Sequence, residues 1–228
     1  MIGNGSSLRT QNLQLLKKEL IFTMNAFHRH PLCETRQPDY HFLADPLYFD
    51  GSSASDEFIR DLAKSCCGTV LFVPLSSAAA AHRLCQGTAV TVCGVPFVGN
   101  LASYRCQAVD FTRGIPGCQS VSQFAIIAAM YMGCSPIILL GMDHDWATHR
   151  GPDRHFYVGK TLGAHPGELA SLADSSYLAD LEAMAALWRG YEVLKQWAGD
   201  RGVEIRNATN GGFLDVFDRT TLENALRQ

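Results

Sequence analysis

Five short polar clusters stand out in the chain: Gly3-Asn4-Gly5-Ser6-Ser7, Asn25-Ala26-Phe27, Asp45-Pro46, Gly117-Cys118-Gln119-Ser120 and Gly141-Met142-Asp143-His144-Asp145. In the first, Gly3 and Gly5 lack a β-carbon, so the backbone can come close to a ligand and present amide hydrogens. Ser6 or Ser7 can cap a following helix and donate to a phosphate oxygen. The loop is no Walker motif, since no Gly-Lys-Ser/Thr follows, and Leu8 stands where G-x-G-x-x-G needs its third glycine. A plain strand-to-helix turn accounts for these residues equally well. Asn25 offers donors and acceptors suited to a nucleobase or ribose, and the Asp45 carboxylate suits a ribose hydroxyl or a metal; both residue types also commonly end strands.

Asp143 and Asp145 are spaced to hold a divalent cation such as Mg2+ near phosphates if the chemistry is metal-dependent, with His144 between them pointing elsewhere. His149, His155 and His165 lack regular metal spacing, which argues against zinc, although one of them within reach of an acceptor hydroxyl could serve as general base. Arg105, Arg113, Arg150, Arg154 and Lys160 can neutralise phosphate charge. No G-x-S-x-G elbow and no cysteine in a nucleophile context support covalent acyl chemistry.

The elements that must position these groups alternate. LIFTMN, YHFLADP, GTVLFVPL, AVTVCGV and PIILLGMD are compact apolar runs beside Gly, Pro or Asp, as buried strands are, and VEIRNAT adds another with NGG as its turn. Leu13, Leu16 and Leu20 recur at helical spacing. Further helices are expected after Ser53, whose spacing to Asp56 resembles a capping box, and over SVSQFAIIAAMYMG. The longest runs from Tyr177 to about Ala198, with Leu181, Met184, Trp188, Tyr191, Leu194 and Trp197 close to one face. This rhythm predicts an α/β fold with a mainly parallel sheet covered by helices, whose ligands gather beyond the carboxyl ends of the strands. Four of the polar clusters fall at such ends, and the Gly117 to Ser120 cluster opens a helix. Residues 144–176, rich in His, Gly, Pro and Asp, are too long for an ordinary connection and read as a lid or binding loop.

At 228 residues the chain is expected to form one domain spanning 1–228. A net charge of −3 with 18% charged residues argues against nucleic acid as a partner. The eight scattered cysteines include no C-x-x-C pair and are expected to be reduced. The chain shows no secretory signal, and its longest apolar stretch is broken by Ser135-Pro136, so a cytoplasmic protein without a transmembrane segment is expected. A homo-oligomer is compatible with this composition.

Taken in order, IGNGSSL, MNAF, PDYHFLADP, a G-x-x-S helix start, LLGMDHDW, GPDRHFY and IRNATNGGFLDVFDR resemble the MptE-like family, named for the archaeal 6-hydroxymethylpterin pyrophosphokinase. The front half also resembles bacterial sialyltransferases that use CMP-sialic acid, with Ser6 in place of their usual proline. The resemblance implies a modified, three-layer Rossmann-like fold that binds a nucleotide. Asn4, Gly5 and Ser6, flanked by Gly3 and Ser7, would line its phosphate; Asn25 and Asp45 would approach the nucleoside or sugar; the turn from Gly117 to Ser120 would complete the pocket. The 144–176 segment would close as a lid that excludes water. It also implies a transferase moving a sugar, such as a nonulosonic acid, from a CMP-linked donor to a glycan acceptor. Its candidate catalytic residues are His155, Asp143 and Tyr157, with His155 ranked as base ahead of His149 and His165. The competing implications are transfer of diphosphate from ATP to a hydroxymethyl pterin, and a silent nucleotide-binding module.

Overall fold

The computed structural model of the chain describes residues 1–103, 109–145, 148 and 176–227. Its strands are β1 (Phe22–Met24), β2 (Tyr40–Phe42), β3 (Val70–Pro74), β4 (Thr91–Val95), β5 (Phe97–Asn100), β6 (Ile115–Gly117), β7 (Ile137–Leu139), β8 (Ile205–Asn207) and β9 (Asp218–Arg219). The α-helices are α1 (Leu32–Thr35), α2 (Ser53–Ser65), α3 (Ala78–Leu84), α4 (Val121–Tyr131), α5 (Tyr177–Asp200) and α6 (Leu222–Ala225). Every pairing between these strands is parallel.

Two sheets, β1-β2-β3-β4 and β7-β8-β9, meet at the first residues of the chain. Ile2 makes parallel bridges to Thr23 on one side and Leu140 on the other, so Met1 and Ile2 act as the central strand between them. The path runs outward from this strand through β1 to β4, then returns to its other side for β7, β8 and β9. The order therefore reverses there, as it does where doubly wound sheets bind ligands.

Alternation along the strands explains the layers. Phe22, Met24, Phe42 and Phe72 enter one core with α4 and α5, while Leu43, Leu71 and Val73 enter another with α2 and α3. The architecture is thus α/β, helix–sheet–helix, as expected. On the α4 face, Phe42 stacks between Phe22 and Phe72 at centroid distances of 5.9 and 4.9 Å, and Phe124 meets Phe42 edge-on at 5.1 Å. Such pairs contribute roughly 0.5–1.5 kcal/mol each beyond burial.

Three local expectations are corrected. The helical spacing of Leu13, Leu16 and Leu20 yields only 3-10 turns, at Ser6–Thr10 and Leu13–Leu15, and Leu20 is exposed. There the Asn12 side chain accepts from the Gln14 amide, and Glu19 accepts from the amides of Lys17 and Lys18; such local bonds compete with the helical ladder. The cap of α2 is Ser52, whose hydroxyl accepts from the Ser55 amide, rather than Ser53. On α5, Leu187, Tyr191, Leu194 and Trp197 are buried, but Leu181 is exposed. Among the described residues no helix is long and apolar enough to cross a membrane.

Candidate functional site

The loops that leave the central strands are laced together by hydrogen bonds. Gly3 donates to Leu140 and Gly5 to Gly141 through their backbones at 2.8 and 2.9 Å. Ser7 then grips Asp143 twice, its amide donating to Oδ1 at 3.1 Å and its hydroxyl to Oδ2 at 2.8 Å. The next loop joins them, because Met142 donates to the Thr209 hydroxyl and Phe213 to the Asp143 carbonyl. A β-carbon on Gly5 would fall on the Asp143 carboxylate, so this approach requires glycine.

This geometry revises the role expected of the opening loop. The amides of Gly3, Gly5 and Ser7 are committed to protein acceptors, and Gly3, Asn4, Gly5 and Ser7 are buried. What the loop turns toward the strand ends is Asn4, whose Nδ2 donates to the Met24 carbonyl at 2.9 Å. Among the described residues, Asn4 Oδ1 accepts no hydrogen bond although it is buried. Ser6 is half-buried. Asp143 is likewise held as a capping group, and burial pushes its carboxyl above the ordinary carboxylate range, opposed by the Ser7 bonds. Among the described residues no three His, Cys, Asp or Glu side chains are grouped to hold a metal ion, and Asp143 is already engaged.

Three other expected residues do come together. Asn25, Asp45 and Ser120 line one pocket of about 350 Å3 with Ala44, Tyr48, Cys118, Gln119 and Val121. Asn25 directly follows β1, Asp45 follows β2, and Ser120 caps α4 three residues beyond Gly117, the last residue of β6. The Asp45 side chain also caps the next turn, accepting from the Leu47 amide at 2.9 Å.

Asn25 is held in the left-handed region at φ 49°, a conformation that asparagine tolerates better than most non-glycine residues. Two histidines that the sequence reading passed over hold it there. His41 is fully buried, with Nε2 3.0 Å from the Asn25 carbonyl and Nδ1 2.7 Å from the Thr23 hydroxyl. A carbonyl only accepts, so Nε2 carries the proton and Thr23 donates to Nδ1. His28 Nδ1 reaches the same carbonyl at 3.4 Å. Burial depresses both histidines to about 3, so both are neutral. With its backbone fixed from beneath, Asn25 lines the pocket in a defined orientation.

The turn bearing Ser120 is clamped by Gln123, another residue the sequence reading passed over. Its Oε1 accepts from the Gln119 amide at 2.9 Å, and its Nε2 donates to Leu187 of α5 at 2.8 Å. The contact depends on Gly190, where a β-carbon would strike the Gln123 amide. Polar residues within apolar runs, such as His41 in YHFL and Gln123 in α4, and a glycine within a long helix were the available signals.

His155 and Tyr157, with His149 and His165 and most of the 144–176 segment, lie outside the described residues, as do Arg105, Arg150, Arg154 and Lys160. His144 does point away from its neighbouring carboxylates, with Nε2 2.6 Å from the Tyr191 hydroxyl. No model of a known protein family matches the chain, and no curated protein is similar to it.

Proposed function

We propose that the pocket at Asn25, Asp45 and Ser120 binds a nucleotide, and that the chain is a sialyltransferase-like enzyme moving a sugar from a CMP-linked donor to a glycan. The observation that supports this reading is the convergence of three polar residues, from three separated turns, in one pocket beyond the carboxyl ends of a parallel sheet. The Asn25 amide supplies both a donor and an acceptor for the base or ribose. The Asp45 carboxylate accepts from a ribose hydroxyl. Ser120, at the start of the 11-residue helix α4, stands where a phosphate oxygen gains from the positive end of the helix.

In this reading CMP departs from the anomeric carbon as an acceptor hydroxyl attacks the opposite face. His155 takes the hydroxyl's proton, and Tyr157 steadies the leaving phosphate. The test is a thermal-shift screen with CMP, CDP, ATP plus Mg2+, and a hydroxymethyl pterin, because a ligand of the native state raises the melting temperature as its concentration passes the dissociation constant. CMP is expected to stabilise the chain, with the shift reduced in Asn25→Ala. Stabilisation by ATP with Mg2+ and not by CMP would replace the transferase reading with diphosphate transfer.

A further inference from the structure

Behind Ser120 runs a chain of hydroxyls that the proposed reaction leaves unused. The Ser120 Oγ lies 2.8 Å from Ser122 Oγ, Ser122 Oγ lies 2.6 Å from the Tyr191 hydroxyl, and that hydroxyl lies 2.6 Å from His144 Nε2. Ser122 and Tyr191 are buried to within 1% of completeness. The chain thus ties a pocket-lining residue to the loop after β7 through α4 and α5. His144 sits at φ 47°, and it and Asn25 are the non-glycine residues at positive φ among those described. Backbone strain of this kind is retained where surrounding bonds over-determine it, and it gathers at functional sites.

Each hydroxyl carries one proton, and two orders give the buried Ser122 and Tyr191 protons an acceptor within the chain. In one, His144 Nε2–H donates to Tyr191, Tyr191 to Ser122 and Ser122 to Ser120, which leaves the Ser120 proton for the pocket. In the other every bond is reversed, His144 accepts at Nε2, and Ser120 has no proton to offer a ligand. A phosphate oxygen has only lone pairs and selects the first order. We propose that Tyr191 and His144 are positioning residues that fix the sense of the Ser120 hydrogen bond, making it a donor to an anionic oxygen of the bound nucleotide. Burial depresses His144 to about 4, so the imidazole is neutral and its tautomer carries the information. The inference rests on the nucleotide reading of the pocket.

The experiment is 15N NMR of histidine-labelled protein saturated with CMP, with the His144 ring signals assigned by their loss in His144→Gln. The wild type is expected to show the Nε2–H tautomer. Ser122→Ala removes the acceptor for Tyr191, whose proton then has only His144 Nε2 to bind, so this variant is expected to show Nδ1–H. Tyr191→Phe, which cuts the chain at its middle, is expected to show one tautomer with and without CMP. CMP bound with Nδ1–H in the wild type, the same tautomer in wild type and Ser122→Ala, or a CMP-driven change in Tyr191→Phe would each overturn the relay and leave the nucleotide site standing. Absence of any CMP-induced shift would overturn the nucleotide site, and the relay with it.

Discussion

A carbonyl oxygen held by two neutral histidines is the smallest unit on which the site depends. His41 and His28 both reach the Asn25 carbonyl, and both are depressed to about 3 by burial. An unfolded chain binds a proton at each below the ordinary value of 6.5, whereas the folded chain does not. Stability is therefore complete above 6.5 and is lost as the pH falls toward 3. Each group costs about 2 kcal/mol by pH 5. Urea denaturation at pH 7 and pH 5 should show a loss of roughly 4 kcal/mol from the pair, and His28→Phe should lessen the slope; a flat profile would mean that these histidines are not held neutral. Asn25, Asp45 and Ser120 were legible in the sequence because a polar residue directly after an apolar run marks a strand end or a cap. The groups that hold them were not. Ser122 and Tyr191 meet across 69 residues, and Thr23 and His41 across 18, and a spacing along one chain carries no sign of such pairs.

Among the elements, α4 and α5 show how a turn acquires a fixed shape. Gln123 holds the Ser120 turn at one end and α5 at the other, and Gly190 provides the space. Alanine in place of glycine within a helix ordinarily adds up to about 1 kcal/mol of stability. Here the added methyl strikes a buried amide bonded at both ends, and overpacking of that kind costs about 1–3 kcal/mol. Gly190→Ala should therefore destabilise the fold in chemical denaturation, and a stabilised variant would show that Gln123 is not clamped. The strands of the main sheet were readable because strands buried on both faces are continuous apolar runs. β5, with three exposed residues in Phe97–Asn100, and β9, two exposed residues long, lack that signature. The leucines of the opening segment show the opposite error, a helical spacing that Asn12 and Glu19 divert into turns.

At the scale of the whole molecule, the central strand of Met1 and Ile2 sets where everything else can act. Its loop is fastened to the loops after β7 and β8 through Asp143, Thr209 and Phe213. A pocket beyond the ends of β1 and β2 is lined by Asn25, Asp45 and Ser120. Another polar pocket, of about 410 Å3, is lined by Thr10, Asn210, Arg219 and Thr221 among others. Hydrogen–deuterium exchange with and without CMP separates the two directly. A nucleotide site at Asn25, Asp45 and Ser120 requires that CMP slow exchange together in three segments, those around Asn25, Ala44-Asp45 and Gln119 to Val121. Slowing confined to the Ala208 to Glu223 segment, or no slowing anywhere, would contradict it.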